Sequence, residues 1–253
     1  MIDTNYKDKS GVPETNFYST HQMAKYSGVC ANTVRNYEKY GFISKPERAD
    51  NGYRIFTDVH ILQMTICRLT FSPYINSLIR KAAMEVIYSS AKEDFVLCVE
   101  LTDRYIEVIK NELNKANEAV NVLANFHKPN NNNIYYDRKE SAAIIGTTAE
   151  TIRNWERNGL IFAVKRDKKS LYNQTEIDFM RLIYLLLSGG FNLQKIYDSL
   201  MFLRGAENKQ AIEALCDSHD YINLGNIEKN IVEKIEEVLA SAHKIKELLE
   251  KNI

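Results

Sequence analysis

An internal repeat constrains this chain more than any other feature. Sliding the 253-residue sequence by 118 positions lays 18–43 over 136–161 with ten identities in 26 positions. The identities include Gly28/Gly146, Thr33/Thr151, Arg35/Arg153, Asn36/Asn154, Glu38/Glu156 and Gly41/Gly159. Val34/Ile152, Tyr37/Trp155, Lys39/Arg157 and Phe42/Leu160 are conservative. Chance would give about one or two identities, so the chain is a duplication and its fold must be two versions of one small unit.

Each copy carries the same helix punctuation. Ser19 with Gln22, and Asp137 with Glu140, have the spacing of a capping box, which opens a first helix. That helix runs to Gly28 or Gly146, glycines suited to the tight turn before a second helix. The second helices are expected over about 31–40 and 149–158. Thr148 is a good N-cap and Cys30, at the same place, a poor one. Gly41 and Gly159 sit where a helix stops on a left-handed residue. Helix, glycine turn, helix and glycine stop make a helix-turn-helix. In copy one, Asn51-Gly52 ahead of Tyr53, Arg54, Ile55 and Phe56 predicts a hairpin wing. Copy two is two residues shorter here, loses Asn-Gly and Tyr-Arg, and gains a denser positive run, Lys165, Arg166, Lys168 and Lys169.

The pattern T-x-x-M-A-x-x-S-G-V-x-x-x-T-V-R-N-Y-E-x-x-G-F-I followed by N-G-Y-R-I-F resembles the DNA-binding domain of the MerR family of bacterial transcription regulators. The resemblance is strong over 17–90 and looser over 135–204. It implies that the second helix enters the major groove and that the Tyr-Arg pair of the wing holds phosphates. Those roles fall to Thr33, Arg35, Asn36, Tyr37, Tyr53 and Arg54, and in copy two to Thr151, Arg153, Asn154 and Trp155. Tyr18, Lys39, Arg157 and the Lys165, Arg166, Lys168 and Lys169 run complete the expected DNA-binding set. Trp155 equally suits the small core of its module. Asn36 and Asn154 are able to pair bidentately with adenine. Two positions depart from the family. Asn32 or Glu150 stands before the Thr, where the family is usually basic, and Asn36 or Asn154 replaces the first of two tyrosines. Because the copies differ at Asn32/Glu150 and in the wing, the expected operator is asymmetric.

Beyond each module the sequence reads as two shorter helices, 58–70 with 75–90 and 174–188 with 193–204. Long helices follow. Val99, Thr102, Ile106, Ile109, Leu113, Ala116, Val120 and Leu123, then Ile231, Ile235, Val238, Ala242, Ile245 and Leu249, step by three and four, the spacing of a narrow seam seeking one partner helix. A helix over 95–127 spans ~50 Å. The expected fold is therefore mostly α: two winged helix-turn-helix domains, each with a long coiled-coil helix, paired antiparallel within the chain as a pseudo-dimer. Family members are homodimers joined by an antiparallel coiled coil, so a monomeric pseudo-dimer is the favoured state and a homodimer the alternative. The expected segments are a disordered tail 1–16, module one 17–92, a long helix 93–128, a polar linker 129–134, module two 135–205, a helical connector 206–225 and a C-terminal helix 226–253.

Charge is compatible with this. The net charge is zero, but 18–60 carries six Lys/Arg against four Asp/Glu and 134–172 eight against five, balanced by ten acids against six lysines over 206–253. The distribution matters for a nucleic-acid partner more than the sum. Cys30, Cys67, Cys98 and Cys216 lie far apart with no C-x-x-C pair, which argues against disulfide staples or a zinc site and for a reducing cytoplasm. The start is polar, with no signal-peptide pattern. Scattered histidines and the lack of a Gly-rich phosphate loop or G-x-S-x-G argue against an enzyme. No cofactor or metal is expected, and only 192–225 offers length for an effector pocket. The expected partners are double-stranded DNA and, at a promoter, RNA polymerase, with no membrane. An architectural DNA-binding protein and a recombination accessory factor of a mobile element are the alternative readings.

Overall fold

The computed structural model describes residues 16–71, 76–125, 134–205 and 231–252. The expected tail 1–16 (save Asn16), the linker 129–134 (save Ile134), the connector 206–225, the start of the C-terminal helix and the later part of 192–225 lie outside the described residues. Residues group into two units, 1–109 with 237–253, and 110–236.

In the first unit α1 (Thr20–Ser27) and α2 (Ala31–Lys39) form the helix-turn-helix, followed by β1 (Glu47–Arg48) and β2 (Arg54–Ile55), α3 (Asp58–Thr70) and α4 (Ser77–Ala91). Ser19 accepts from Gln22 N while the Gln22 side chain accepts from Ser19 N, closing the capping box. Gly28 takes φ 61° at the turn. Cys30 makes no side-chain cap. Met23, Ala24, Val34, Ile43, Phe56 and Met64 form the core, with Tyr18, Val29, Ala31, Tyr37 and Ile61 packed against it. Gln63 links α3 to its surroundings: it accepts from Ser44 N at 2.8 Å and donates to Ser90 O at 2.9 Å. The wing differs in detail from a two-residue Asn-Gly hairpin. Glu47 pairs with Ile55 and Arg48 with Arg54. The loop closes through Gly52 N to Ala49 O and Ala49 N to Tyr53 O, with Gly52 at φ 79°. Asn51 and Gly52 thus end a longer turn, the glycine taking the left-handed place.

In the second unit β3 (Tyr135–Asp137) precedes α6 (Arg138–Ile145) and α7 (Ala149–Arg157); β4 (Val164–Arg166), β5 (Lys169–Asn173), α8 (Gln174–Ser188) and α9 (Leu193–Gly205) follow. Asp137 with Glu140 forms the capping box and Thr148 caps α7 through Thr151 N. The three strands are ordered β3-β5-β4, all antiparallel. Strand β3 has no counterpart in the sequence reading. Its pairing of Tyr136 with Tyr172 matches the lone bridge between Tyr18 and Phe56 in the first unit. The copy that lost Asn-Gly has the tighter hairpin: Arg166 pairs directly with Lys169, leaving Asp167 and Lys168 as the turn at φ 48° and 64°. Two positive φ values in succession define a type I′ turn, normally the domain of Asn and Gly. Arg204 supports the module from α9. It donates to both Glu176 oxygens at 2.7 and 2.8 Å, while Glu176 accepts from Phe162 N at 2.9 Å. This bridge occupies the place that Gln63 takes in the first unit.

The long helix α5 (Phe95–Asn125) contributes residues to Ile109 to the first unit and from Lys110 to the second. The C-terminal helix α10 (Glu233–Glu250) divides at Glu236. All six seam positions of the C-terminal helix, Ile231 to Leu249, are buried. The α5 seam is broader than a single-partner stripe, because Cys98, Tyr105, Glu112 and Ala119 beside it are buried too. Two of those extra positions meet the modules. Cys98 Sγ lies 3.5 Å from Val86 O of α4, and Glu112 accepts from Tyr184 of α8 at 2.9 Å.

Candidate nucleic-acid interface

Both second helices of the helix-turn-helix are amphipathic in the same way. Val34, and in copy two Ile152 and Trp155, turn into the core. The opposite face carries Asn32, Arg35, Asn36 and Lys39 on α2, and Glu150, Arg153, Asn154 and Arg157 on α7. Positions i, i+3, i+4 and i+7 share one side of a helix. All are exposed except Asn36, which is half-buried. Thr33 and Thr151 sit partly buried beside this stripe. Thr151 is bonded to the Thr148 hydroxyl at 2.8 Å and Thr33 to the Cys30 thiol at 3.2 Å.

The aromatic positions divide. Trp155 is 3% exposed and lies in the core, so its ring is withdrawn from the surface where a base or sugar would meet it. Tyr37 is half-buried, edge-on to Phe42 and Phe71. Tyr18 packs on the core and donates to Asp58 Oδ1 at 2.7 Å; that bond and partial burial push its hydroxyl up to about 12. Tyr53 at the wing is 69% exposed and open to a partner.

A carboxylate on each second helix ties the wing to it. Glu38 accepts from Arg54 in a close pair and lies 4.0 Å from Arg48. Glu156 accepts from Lys165 at 2.8 Å, Arg138 at 2.7 Å and Tyr172 at 2.9 Å. Burial alone would push the Glu156 carboxyl up, but the bonds from Lys165, Arg138 and Tyr172 outweigh it and hold it at about 2. The strand registers make Lys165 the counterpart of Arg48, and Ser170 that of Arg54. The guanidinium lost at Ser170 is restored from another element: Arg138, in the repeat position of Thr20, reaches both Glu156 and, at 3.0 Å, Ser170. The sequence contained a signal for this pair in the Glu38/Glu156 identity, but nothing in it pointed to Arg138. Arg54 and Lys165 are therefore engaged in holding the wings. Lys168 and Lys169 are exposed, as is Arg166, whose guanidinium lies 4.4 Å over the Tyr135 ring.

Among the described residues no group of three or more His, Cys, Asp or Glu is placed to hold a metal ion, and no helix is long and apolar enough to cross a membrane.

Two family models match, one described as MerR family regulatory protein over 19–56 and one as MerR HTH family regulatory protein over 130–201. Among curated proteins, the HTH-type transcriptional regulator CueR of Escherichia coli O6:H1 is 37% identical over 46 residues, covering 18% of this chain and 34% of the relative. CueR of Salmonella typhi gives 37% over 46 residues (18% and 33%) and that of Yersinia pestis 39% over 46 (18% and 33%). The chain thus spans about a third of the length of the curated relatives it matches. No solved structure matches the chain. Two family matches on two modules of the same design show that this chain carries two MerR-type helix-turn-helix modules in tandem.

Proposed function

We propose that the chain is a sequence-specific, double-stranded DNA-binding transcription regulator that works on promoters. The observation carrying this reading is the repeated polar and cationic stripe on α2 and α7, each backed by a buried apolar face. A helix anchored on one side and polar on the other suits the major groove, where Arg and Asn have donor and acceptor patterns matching guanine and adenine edges. The exposed wing residues Tyr53, Arg166, Lys168 and Lys169 would meet phosphates, which position a protein without reading sequence.

A single chain supplies both halves of the family's dimer. The composition of the units supports this: each combines one module with parts of both long helices. In the first unit Lys246 of α10 pairs with Asp103 of α5 at 2.7 Å. In the second, a side chain added at Gly189 would meet Ile231, so the start of the C-terminal seam is packed against the end of α8. Held as such a pseudo-dimer, the two modules grip both halves of a promoter spacer and distort it, a deformation costing about 1–6 kcal/mol that the protein contacts offset.

The test is selection of bound duplexes from a random pool by the full chain, followed by footprinting with Arg35→Ala and Arg153→Ala. One enriched site with two protected half-sites, each weakened by one variant, supports the reading. Failure to enrich any sequence, or dispersed binding across a genome without promoter preference, contradicts it.

A further inference from the structure

The two reading stripes are chemically alike at every position but the first. Arg35 answers to Arg153, Asn36 to Asn154 and Lys39 to Arg157, whereas Asn32 answers to Glu150. Both are the second residue of their helix, one turn before the shared arginine. In helix-turn-helix proteins the N-terminal residues of this helix contact base edges.

Among the described residues Glu150 has one loose partner. Its side chain is 70% exposed, and its ion pair with Arg153 is loose, at 3.8 Å. An acid in a first helical turn can stabilise the helix dipole. Here, however, Thr148 already caps α7, while α2, which lacks a side-chain cap, carries no acid in its first turn. Helix stability therefore does not account for where the acid sits. On a surface that meets phosphates a loosely paired carboxylate is repelled, unless it lies in the groove against a donor. The major groove offers two donors, cytosine N4 and adenine N6, and adenine N6 is flanked by the N7 acceptor that a carboxylate avoids. Asn32 has both a donor and an acceptor and fits the adenine N6/N7 pair.

Resting on the DNA-binding reading above, we propose that Glu150 selects cytosine in the half-site of the second module while Asn32 selects adenine at the related position of the first. The duplicated protein is thereby an asymmetric reader. Guanine opposite Glu150, with only the O6 and N7 acceptors, is rejected.

Selection with the full chain, Glu150→Asn and Glu150→Gln tests this. The wild-type site should show adenine in one half and cytosine at the symmetry-related position of the other. In both variants that cytosine should give way to adenine, making the site symmetric at this position. Anisotropy titrations should show cytosine-over-adenine discrimination of about ten-fold lost or reversed, as expected for a specific base contact. Both substitutions are at an exposed position, so Trp155 fluorescence should be unchanged. Cytosine surviving in the variant sites, with only a uniform rise in affinity for all sequences, overturns the proposal: the acid would then act through charge alone. A wild-type site symmetric at this position overturns it as well. In either case the enriched site itself would leave the DNA-binding reading standing, whereas no enrichment by any protein would remove both.

Discussion

Replacing Glu156 by Gln should loosen the second module in a way that depends on pH. The carboxyl lies at about 2 instead of its ordinary 4.5. At ~1.36 kcal/mol per pKa unit that difference amounts to ~3 kcal/mol as an upper bound. Part of it comes from Lys165, whose side chain is 63% exposed and screened by solvent. A glutamine also keeps one acceptor for Arg138 or Tyr172. The expected loss at pH 7 is therefore about 1–2 kcal/mol. The sign of the pH effect follows from the depressed value. The charged form is favoured in the folded state, so the stabilisation is complete above ~4.5 and drains away as pH falls toward 2. Trp155 is the only tryptophan in the chain and is buried in this module, so urea unfolding followed by its fluorescence reports the second unit selectively. The gap between wild type and Glu156→Gln should be widest near neutrality and shrink as pH drops from 5 to ~3. A gap that stays constant with pH, or no gap at pH 7, would refute the reasoning.

Three further outcomes follow from the same geometry. Changing Asp167-Lys168 to Asn-Gly should stabilise the second module by about 1 kcal/mol in the same fluorescence assay, because it relieves two positive φ values. Thr148→Ala should cost about 1 kcal/mol by removing the α7 cap, while Cys30→Ser should gain up to about 1 kcal/mol by supplying the cap α2 lacks, read from thermal unfolding by far-UV circular dichroism. Arg35→Ala and Arg153→Ala should each weaken binding to the selected duplex by about 1–3 kcal/mol in anisotropy titrations while leaving unfolding midpoints unchanged.

Much of the fold was legible because it rests on local chemistry. The Ser19 and Asp137 capping boxes, the left-handed Gly28 and Gly146, and the buried seam from Ile231 to Leu249 are set by residues close in sequence. What escaped depends on partners far apart. Strand β3 is recognised only through its pairing with β5, and three residues carry too little pattern to announce it. The second wing was obscured because Asp167 and Lys168 adopt a turn that sequence rules reserve for Asn and Gly. The stripe on α5 is wider than its spacing suggests because Cys98 and Glu112 have partners on α4 and α8. In the candidate interface the repeat located the exposed stripe, but not which cations are already engaged. Arg54 and Lys165 hold the wings to Glu38 and Glu156, and Arg138 supplies from α6 the guanidinium that Ser170 lacks.

In the proposed pseudo-dimer, one chain does the work of two subunits. Sedimentation of the complex with the selected duplex, at nanomolar protein, tests it most directly. One 29.2 kDa chain per duplex, with both half-sites protected, is expected. Two chains on each duplex, or one chain protecting a single half-site, would contradict it.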